Sequence, residues 1–173
     1  MRPTGRSTVV SLFATVTSLL LVLLPSGESF AVDKKISGTG TAVVLLSETK
    51  MSPWSDARHE VSLLRRVDAD KGTLGEAQVS VVNMSDYVSG TGTHRGHRVS
   101  SFPDGDKAFS SYEGRTKTVL KSGSPSEVTF EGRWWFTGGT GMLTGLTGGG
   151  TYTGGVSSAG LTYQYEGDYE VKQ

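Results

Sequence analysis

The fold is decided by a stretch near the C-terminus that is rich in glycine, threonine and aromatic residues. Residues 130–141 read Phe-Glu-Gly-Arg-Trp-Trp-Phe-Thr-Gly-Gly-Thr-Gly, and residues 163–169 read Tyr-Gln-Tyr-Glu-Gly-Asp-Tyr. Twelve of the 24 glycines of the chain lie between Gly132 and Gly167. Glycine is a poor helix former, whereas Trp, Tyr, Phe and Thr pack well on a pleated sheet. The composition therefore predicts short strands joined by tight turns.

Alternation within this stretch assigns the two faces of the predicted sheet. One side of the last strand carries apolar residues: Leu161, Tyr163, Tyr165, Gly167, Tyr169 and Val171. One side of the earlier strand carries Phe130, Gly132, Trp134 and Phe136, opposite Glu131, Arg133 and Trp135. A period of two over this length indicates a sheet with one buried face and one face in water. We therefore expect an aromatic interior.

The preceding segments also suit strands. Residues 36–48, 76–86 and 108–120 are predicted strands, with Val79 and Val81 on the face opposite Val82 and Met84. Residues 58–67 fit a strand or two helical turns. We favour the strand because Asp-Ala-Asp-Lys-Gly at 68–72 resembles a hairpin turn.

A short motif, an aromatic residue followed by Glu-Gly, occurs three times. Its copies begin at Tyr112, Phe130 and Tyr165. In an up-and-down meander, equivalent positions recur on every second strand, and a glycine in mid-strand marks a sharp bend of a barrel wall. This predicts that the three copies run in the same direction; the alternative is coincidence in a glycine-rich chain.

The N-terminus has the order of a secretory signal. Arg2 and Arg6 precede an uncharged apolar run at 9–24, and small residues, Ser29 and Ala31, follow it. We predict a signal peptide at 1–31 and one β-barrel domain at 32–173, located in the periplasm or secreted, without stable membrane insertion after processing. The alternative is a retained membrane anchor, because the apolar run approaches a spanning length.

Composition gives no reason to expect a nucleic-acid partner and excludes disulfide bonds. Subtracting the three charged residues of the predicted signal from 17 basic and 17 acidic residues leaves 15 against 16. This balance gives no electrostatic reason to expect nucleic acid as a partner. The chain has no cysteine. An exported domain without disulfides must be held by burial and backbone hydrogen bonds, which a closed sheet supplies.

The glycine clusters resemble a known family. The residues that carry the likeness are Gly-Gly-Thr-Gly-Met-Leu-Thr-Gly at 138–145 and Gly-Gly-Gly-Thr-Tyr-Thr-Gly at 148–154, together with residues 165–169 and 93–97. They are similar to exported bacterial members of the allene oxide cyclase and dirigent-like group of small calycin-type β-barrels. The resemblance implies an all-β, single eight-stranded antiparallel barrel that often forms homo-oligomers. Barrels of this group serve as cyclases, coupling guides or ligand carriers.

Catalytic and metal-binding motifs are weak. The cluster at 138–150 lacks the lysine of a phosphate-binding loop and the third glycine of a dinucleotide fingerprint, so we interpret it as a structural corner. His94 and His97 stand three apart in a predicted loop and could share a zinc ion, with Asp104 and Asp106 as further ligands, but solvated or hydrogen-bonded histidines are the preferred interpretation. We predict no metal and no cofactor. Glu113, Glu131 and Glu166 are expected on the outer face, where pairing with Arg115 and Arg133 across strands is the preferred interpretation. One alternative treats these glutamates as paired carboxylates, and another makes Glu113 and Arg133 polar groups of a pocket.

The aromatic face provides the functional hypothesis. We predict that a small apolar or aromatic ligand binds in the barrel mouth, against Tyr112, Phe130, Trp134, Phe136, Tyr163, Tyr165 and Tyr169. The same residues could equally form a packed core, since eight strands can be filled by their own side chains. One alternative is a cofactor-free cyclase or isomerase that holds a reactive substrate in a mould, which requires inward polar groups. The other is a structural or interaction protein that uses the Trp135 face or a loop around Trp54 and His94.

Overall fold

The computed structural model describes residues 34–52, 58–122 and 124–172. The predicted signal segment and the loop that contains Trp54 lie outside these ranges. Eight strands account for most of the described chain, and their bounds are β1 Lys34–Met51, β2 His59–Gly72, β3 Gly75–Val88, β4 Thr91–Ser101, β5 Lys107–Lys121, β6 Ser124–Gly139, β7 Leu146–Ser157 and β8 Gly160–Val171. Of the segment 58–67, residues 59–67 are strand rather than helix, as predicted.

The strands form a closed barrel in sequence order, and every neighbouring pair is antiparallel. Closure comes from β1 and β8, which pair from Lys34 opposite Tyr169 to Thr41 opposite Thr162. The predicted all-β, eight-stranded antiparallel barrel is therefore confirmed. Within the described ranges, no helix has the length and hydropathy needed to cross a membrane.

The alternation of faces also agrees with the prediction. Val79 and Val81 are buried, whereas Val82 and Met84 on the same strand are exposed. Trp134 is buried, and its neighbour Trp135 faces outward. The core cluster consists of Ile36, Val79, Val81, Tyr112 and Trp134. The register of the barrel thus places aromatic rings inside and most charged residues outside.

Glycines on one strand make room for rings from the next. Gly38 lies opposite Tyr165, and Gly40 lies opposite Tyr163. A Cβ atom at either glycine would overlap the facing tyrosine ring. The same opposition recurs at Gly96 with Tyr112, Gly132 with Tyr152, and Gly154 with Phe130. The absent side chain lets each ring lie flat against the neighbouring strand, which fills the barrel without widening it.

The predicted hairpin turn at 68–72 is wrong. Strand β2 continues to Gly72, and the chain reverses at Thr73 and Leu74. Asp68 and Asp70 therefore lie within the strand and project into the barrel, where both are buried. A sequence that looks like a turn forms a strand here because inward-facing arginines neutralise the two carboxylates.

The prediction that the three aromatic-Glu-Gly copies run in the same direction is also wrong. The first two copies lie on β5 and β6, which are antiparallel neighbours. Gly114 pairs with Gly132, and a Cβ at either position would meet the hydroxyl of Tyr152. The first two copies of the motif thus create one shared space for a tyrosine, rather than marking equivalent bends on alternate strands.

Candidate functional site

The barrel holds a cavity of about 310 Å³ that occupies one end of its interior. Its rim includes Glu48, Lys50 and Glu60, close to the β1–β2 connection, and Gly90, in the β3–β4 turn. Deeper in the barrel the walls are aromatic: Tyr87, His94, Tyr112, Phe130, Trp134, Tyr152 and Tyr163. The volume lies at the lower limit of typical ligand sites. The question left open by the sequence, a cavity or a packed core, is thus answered in favour of a cavity at this end.

The opposite end of the barrel is filled. A small space of about 30 Å³ lies there among residues that include Ile36, Leu74, Phe136 and Tyr165. Ile36, Val79 and Val81 are almost completely buried and pack in one cluster. Because this end is packed and the other is hollow, the cavity is a pocket with one mouth and not a channel.

Two buried ion pairs lie at the inner end of the cavity. Arg66 donates two hydrogen bonds to Asp68, from Nε at 2.7 Å and from Nη2 at 3.1 Å. Arg98 donates from Nη2 to Asp70 at 2.6 Å and to the Tyr163 hydroxyl at 2.9 Å. Both arginines also line the cavity. Buried charges of this kind persist only when they are paired and hydrogen-bonded, and here every charge has a partner of opposite sign.

Asp70 is held by more than its arginine. The Tyr165 hydroxyl donates to its second carboxylate oxygen at 3.2 Å. Burial raises the pKa of Asp70 above its ordinary value, while the charge of Arg98 and the hydrogen bonds from Arg98 and Tyr165 act in the opposite direction. The Arg98 guanidinium lies 5.1 Å from the ring centroid of Tyr163, within cation–π range. The inner end of the cavity is therefore polar, but its two arginine charges are balanced by two aspartate charges.

A chain of hydrogen bonds crosses the cavity wall at His94. Its Nε2 atom lies 2.6 Å from the Tyr152 hydroxyl, and its Nδ1 atom lies 2.9 Å from Thr116 Oγ1. Thr116 in turn lies 2.9 Å from the Tyr87 hydroxyl. Desolvation by burial, and to a smaller extent the charge of Arg66, lower the pKa of His94 to about 4. The imidazole is thus neutral at pH 7, with one ring nitrogen donating and the other accepting.

The buried tyrosines are neutral groups as well. Burial raises the pKa of Tyr112 to about 12, and the Tyr112 hydroxyl donates to Asn83 Oδ1 at 2.8 Å. Burial also raises the pKa values of Tyr152, Tyr163 and Tyr165. These phenols offer hydrogen bonds to a ligand and do not ionise near neutral pH.

The seven aromatic residues predicted for the pocket fall into two groups. Tyr112, Phe130, Trp134 and Tyr163 line the cavity. Phe136 and Tyr165 belong to the filled end, and Tyr169 packs against the core cluster there. The structure thus brings four of the seven together at the cavity. The other three share the inward face of their strands but lie at a different height along the barrel.

Glu113 and Arg133 are not pocket groups. Arg133 Nε donates to Glu113 Oε1 at 2.7 Å, and both side chains are on the outer surface. They pair directly across β5 and β6. The predicted pairing of outer-face glutamates with arginines across strands is confirmed for these two residues, and the pocket alternative is wrong because both have the outward parity of their strands.

The loop and shared zinc site suggested for His94 and His97 are also wrong. Both residues lie on strand β4, where a spacing of three places their side chains on opposite faces. His94 is buried inside, whereas His97 is exposed and its Nδ1 lies 3.0 Å from Ser111 Oγ. Among the residues that the structure describes, no group of three His, Asp or Glu side chains could hold a metal ion. Because it is buried, the side chain of His94 is not exposed to a protein partner, while Trp54, the other residue of the predicted partner surface, lies outside the described residues.

Sequence reasoning missed several residues of the cavity. Tyr152 alternates with Thr151 and Thr153 between two glycines, so period-two reasoning could have placed it inside. Arg66 and Arg98 gave no such signal, because an isolated arginine in a strand normally faces water. Their inward position depends on Asp68 and Asp70, which the sequence suggested as turn residues.

A scan against protein-family models, a search of curated proteins and a search of solved structures each found no match for this chain.

Proposed function

We propose that the protein binds a small, largely apolar or aromatic ligand in the mouth of the barrel. The observation that carries the proposal is the one-ended cavity of about 310 Å³, whose lining combines aromatic rings with polar side chains that include Ser62, Asn83 and Arg98. Ligand sites in proteins typically combine apolar walls with a small number of well-placed polar groups. The family resemblance points the same way, and membership in the allene oxide cyclase and dirigent-like group is part of this proposal.

The walls suit a flat ring better than a flexible chain. Rings from several strands surround the space. The ring centroids of Phe130 and Tyr112 each lie about 6 Å from those of His94 and Tyr152. Aromatic side chains favour edge-to-face or offset contacts at such separations. A bound ring of one or two fused cycles would therefore meet aromatic edges and faces on several sides.

Trp134 provides the reporter for a direct test. It lines the cavity and is buried, whereas Trp135 faces outward. A variant with Trp54→Phe and Trp135→Phe leaves Trp134 as the only tryptophan of the chain. Titration with neutral naphthalene derivatives is expected to change its emission in a saturable way. Recovery of the unchanged probe distinguishes binding from the cyclase or isomerase alternative, which requires turnover.

A matched control locates the binding. Val128 lines the cavity near its mouth, so Val128→Phe narrows the entrance without adding a charge. Val119→Phe adds the same ring at an exposed position of the neighbouring strand β5. Binding should be weakened by the first substitution and unaffected by the second. Absence of saturable binding by every neutral probe would refute the proposal.

Export and homo-oligomer formation are further parts of the proposal. N-terminal sequencing of the protein recovered from the producing cells tests cleavage after Ala31, and light scattering of the purified barrel measures its oligomeric state. Retention of residues 1–31 would refute export by a cleaved signal peptide. A monomer at all concentrations would refute homo-oligomer formation.

A further inference from the structure

We infer that the cavity selects uncharged ligands that carry a hydrogen-bond acceptor oxygen, such as aryl ketones, over both hydrocarbons and carboxylates. This inference rests on the proposed function and specifies its ligand class. We assign Arg66 and Arg98 as the residues that donate hydrogen bonds to this oxygen.

Each guanidinium has donor capacity left after its protein contacts. Arg66 uses Nε and Nη2, and Arg98 uses Nη2 twice. The Nη1 atom of either arginine hydrogen-bonds to no residue in the described part of the chain, and Nε of Arg98 is buried without a partner. The Nε atom of Arg98 is enclosed by protein, but Nη1 of either arginine is not among the enclosed atoms, so its N–H groups can donate to an acceptor that a ligand supplies. The two side chains line the cavity, so a ligand can supply that acceptor.

Most other polar groups of the inner wall are already engaged with one another. Asn83 accepts from Tyr112, and His94 is held between Tyr152 and Thr116. The arginine donors remain the natural partners of a ligand oxygen.

The charge of the site argues against an anion. Three cationic side chains line the cavity, Lys50, Arg66 and Arg98, and four carboxylates lie on its wall or bind those arginines, Glu48, Glu60, Asp68 and Asp70. Lys50 at the rim lies 3.4 Å from Glu48 and 3.3 Å from Glu60. A carboxylate ligand would add a further negative charge to a site that already carries one in excess. A neutral oxygen accepts the same hydrogen bond without an uncompensated buried charge.

Three probes with one ring system and one point of attachment separate these classes: ethylnaphthalene, acetylnaphthalene and naphthoate. At neutral pH, calorimetry with the full barrel domain is expected to show acetylnaphthalene binding about tenfold or more tightly than ethylnaphthalene, and naphthoate binding more weakly than acetylnaphthalene. Equal affinities for the ketone and the hydrocarbon, or tightest binding of naphthoate, overturn the inference while leaving the proposed function intact. Failure of all three probes to bind refutes the proposed function itself.

Paired substitutions assign the selectivity to the arginines. Arg98→Met with Asp70→Asn, and separately Arg66→Met with Asp68→Asn, remove a cation together with its counter-charge, so that no lone charge is left buried. Circular dichroism checks that each variant remains a barrel. The ratio of ketone to hydrocarbon affinity should fall toward one in at least one of them. An unchanged ratio in both folded variants overturns the assignment. If neither variant folds, the comparison of the three probes with the wild-type protein still decides the inference.

Discussion

The neutral state of His94 makes the stability of the barrel depend on pH in a predictable direction. Burial lowers the pKa of His94 from 6.5 to about 4 in the folded protein, so between these values the unfolded chain binds a proton that the folded chain does not. Stability is therefore fully present above about pH 6.5 and is lost as the pH falls toward 4. At about 1.4 kcal/mol for each pKa unit, this side chain accounts for a loss of about 3 kcal/mol.

The substitution His94→Gln removes the titrating group and keeps a side chain that can bond with Tyr152 and Thr116. Urea unfolding at about pH 7 and about pH 4.5 gives the free energy of unfolding of each protein at both values. The loss between them is expected to be smaller in the variant than in the wild type by about 2–3 kcal/mol. Carboxylates contribute to both proteins equally and cancel in this comparison.

His97 provides the matched control. It lies three residues along the same strand and projects from the outer face, so His97→Gln should leave the pH dependence of the wild type in place. If His94→Gln and the wild type lose the same free energy on acidification, the argument that burial suppresses protonation of His94 is refuted.

Two further substitutions test the packing and the ion pairs by urea denaturation. Gly40→Ala should lower the free energy of unfolding by about 1–3 kcal/mol, because the added methyl overlaps the ring of Tyr163. The cost should shrink in a Tyr163→Leu background, and equal costs in both backgrounds would contradict the ring-over-glycine account. Asp68→Asn should cost about 3–5 kcal/mol, because it leaves the charge of Arg66 buried without a counter-ion. Replacing both members of this pair by Leu and Met should recover most of that loss; a single substitution that proves neutral would show that the pair is not essential.

Local alternation was sufficient to predict which face of most strands is buried. A strand has only two faces, so Tyr163 and Tyr165 had to share a side, as did Trp134 and Phe136. Glycine content excluded long helices for the same local reason. These inferences hold because they require only neighbouring residues and the geometry of one extended strand.

Local alternation could not predict the height of each side chain along the barrel axis. Tyr163 reaches the cavity and Tyr165 belongs to the filled end, although they are two residues apart on one face. The register of all eight strands determines which ring packs in the filled end and which ring lines the cavity. The packing of Ile36, Leu74 and Phe136 at one end contributes to the same outcome.

The sequence by itself therefore determined the strand class, the inward parity of the aromatic residues and the outward position of Glu113 and Arg133. Only the tertiary structure decided that Asp68 and Asp70 are buried and that the interior is hollow at one end. The physical reason is that a buried charge is stable only beside its partner. Arg98 stands 28 residues from Asp70 and meets it through the curvature of the closed sheet, which no local pattern encodes.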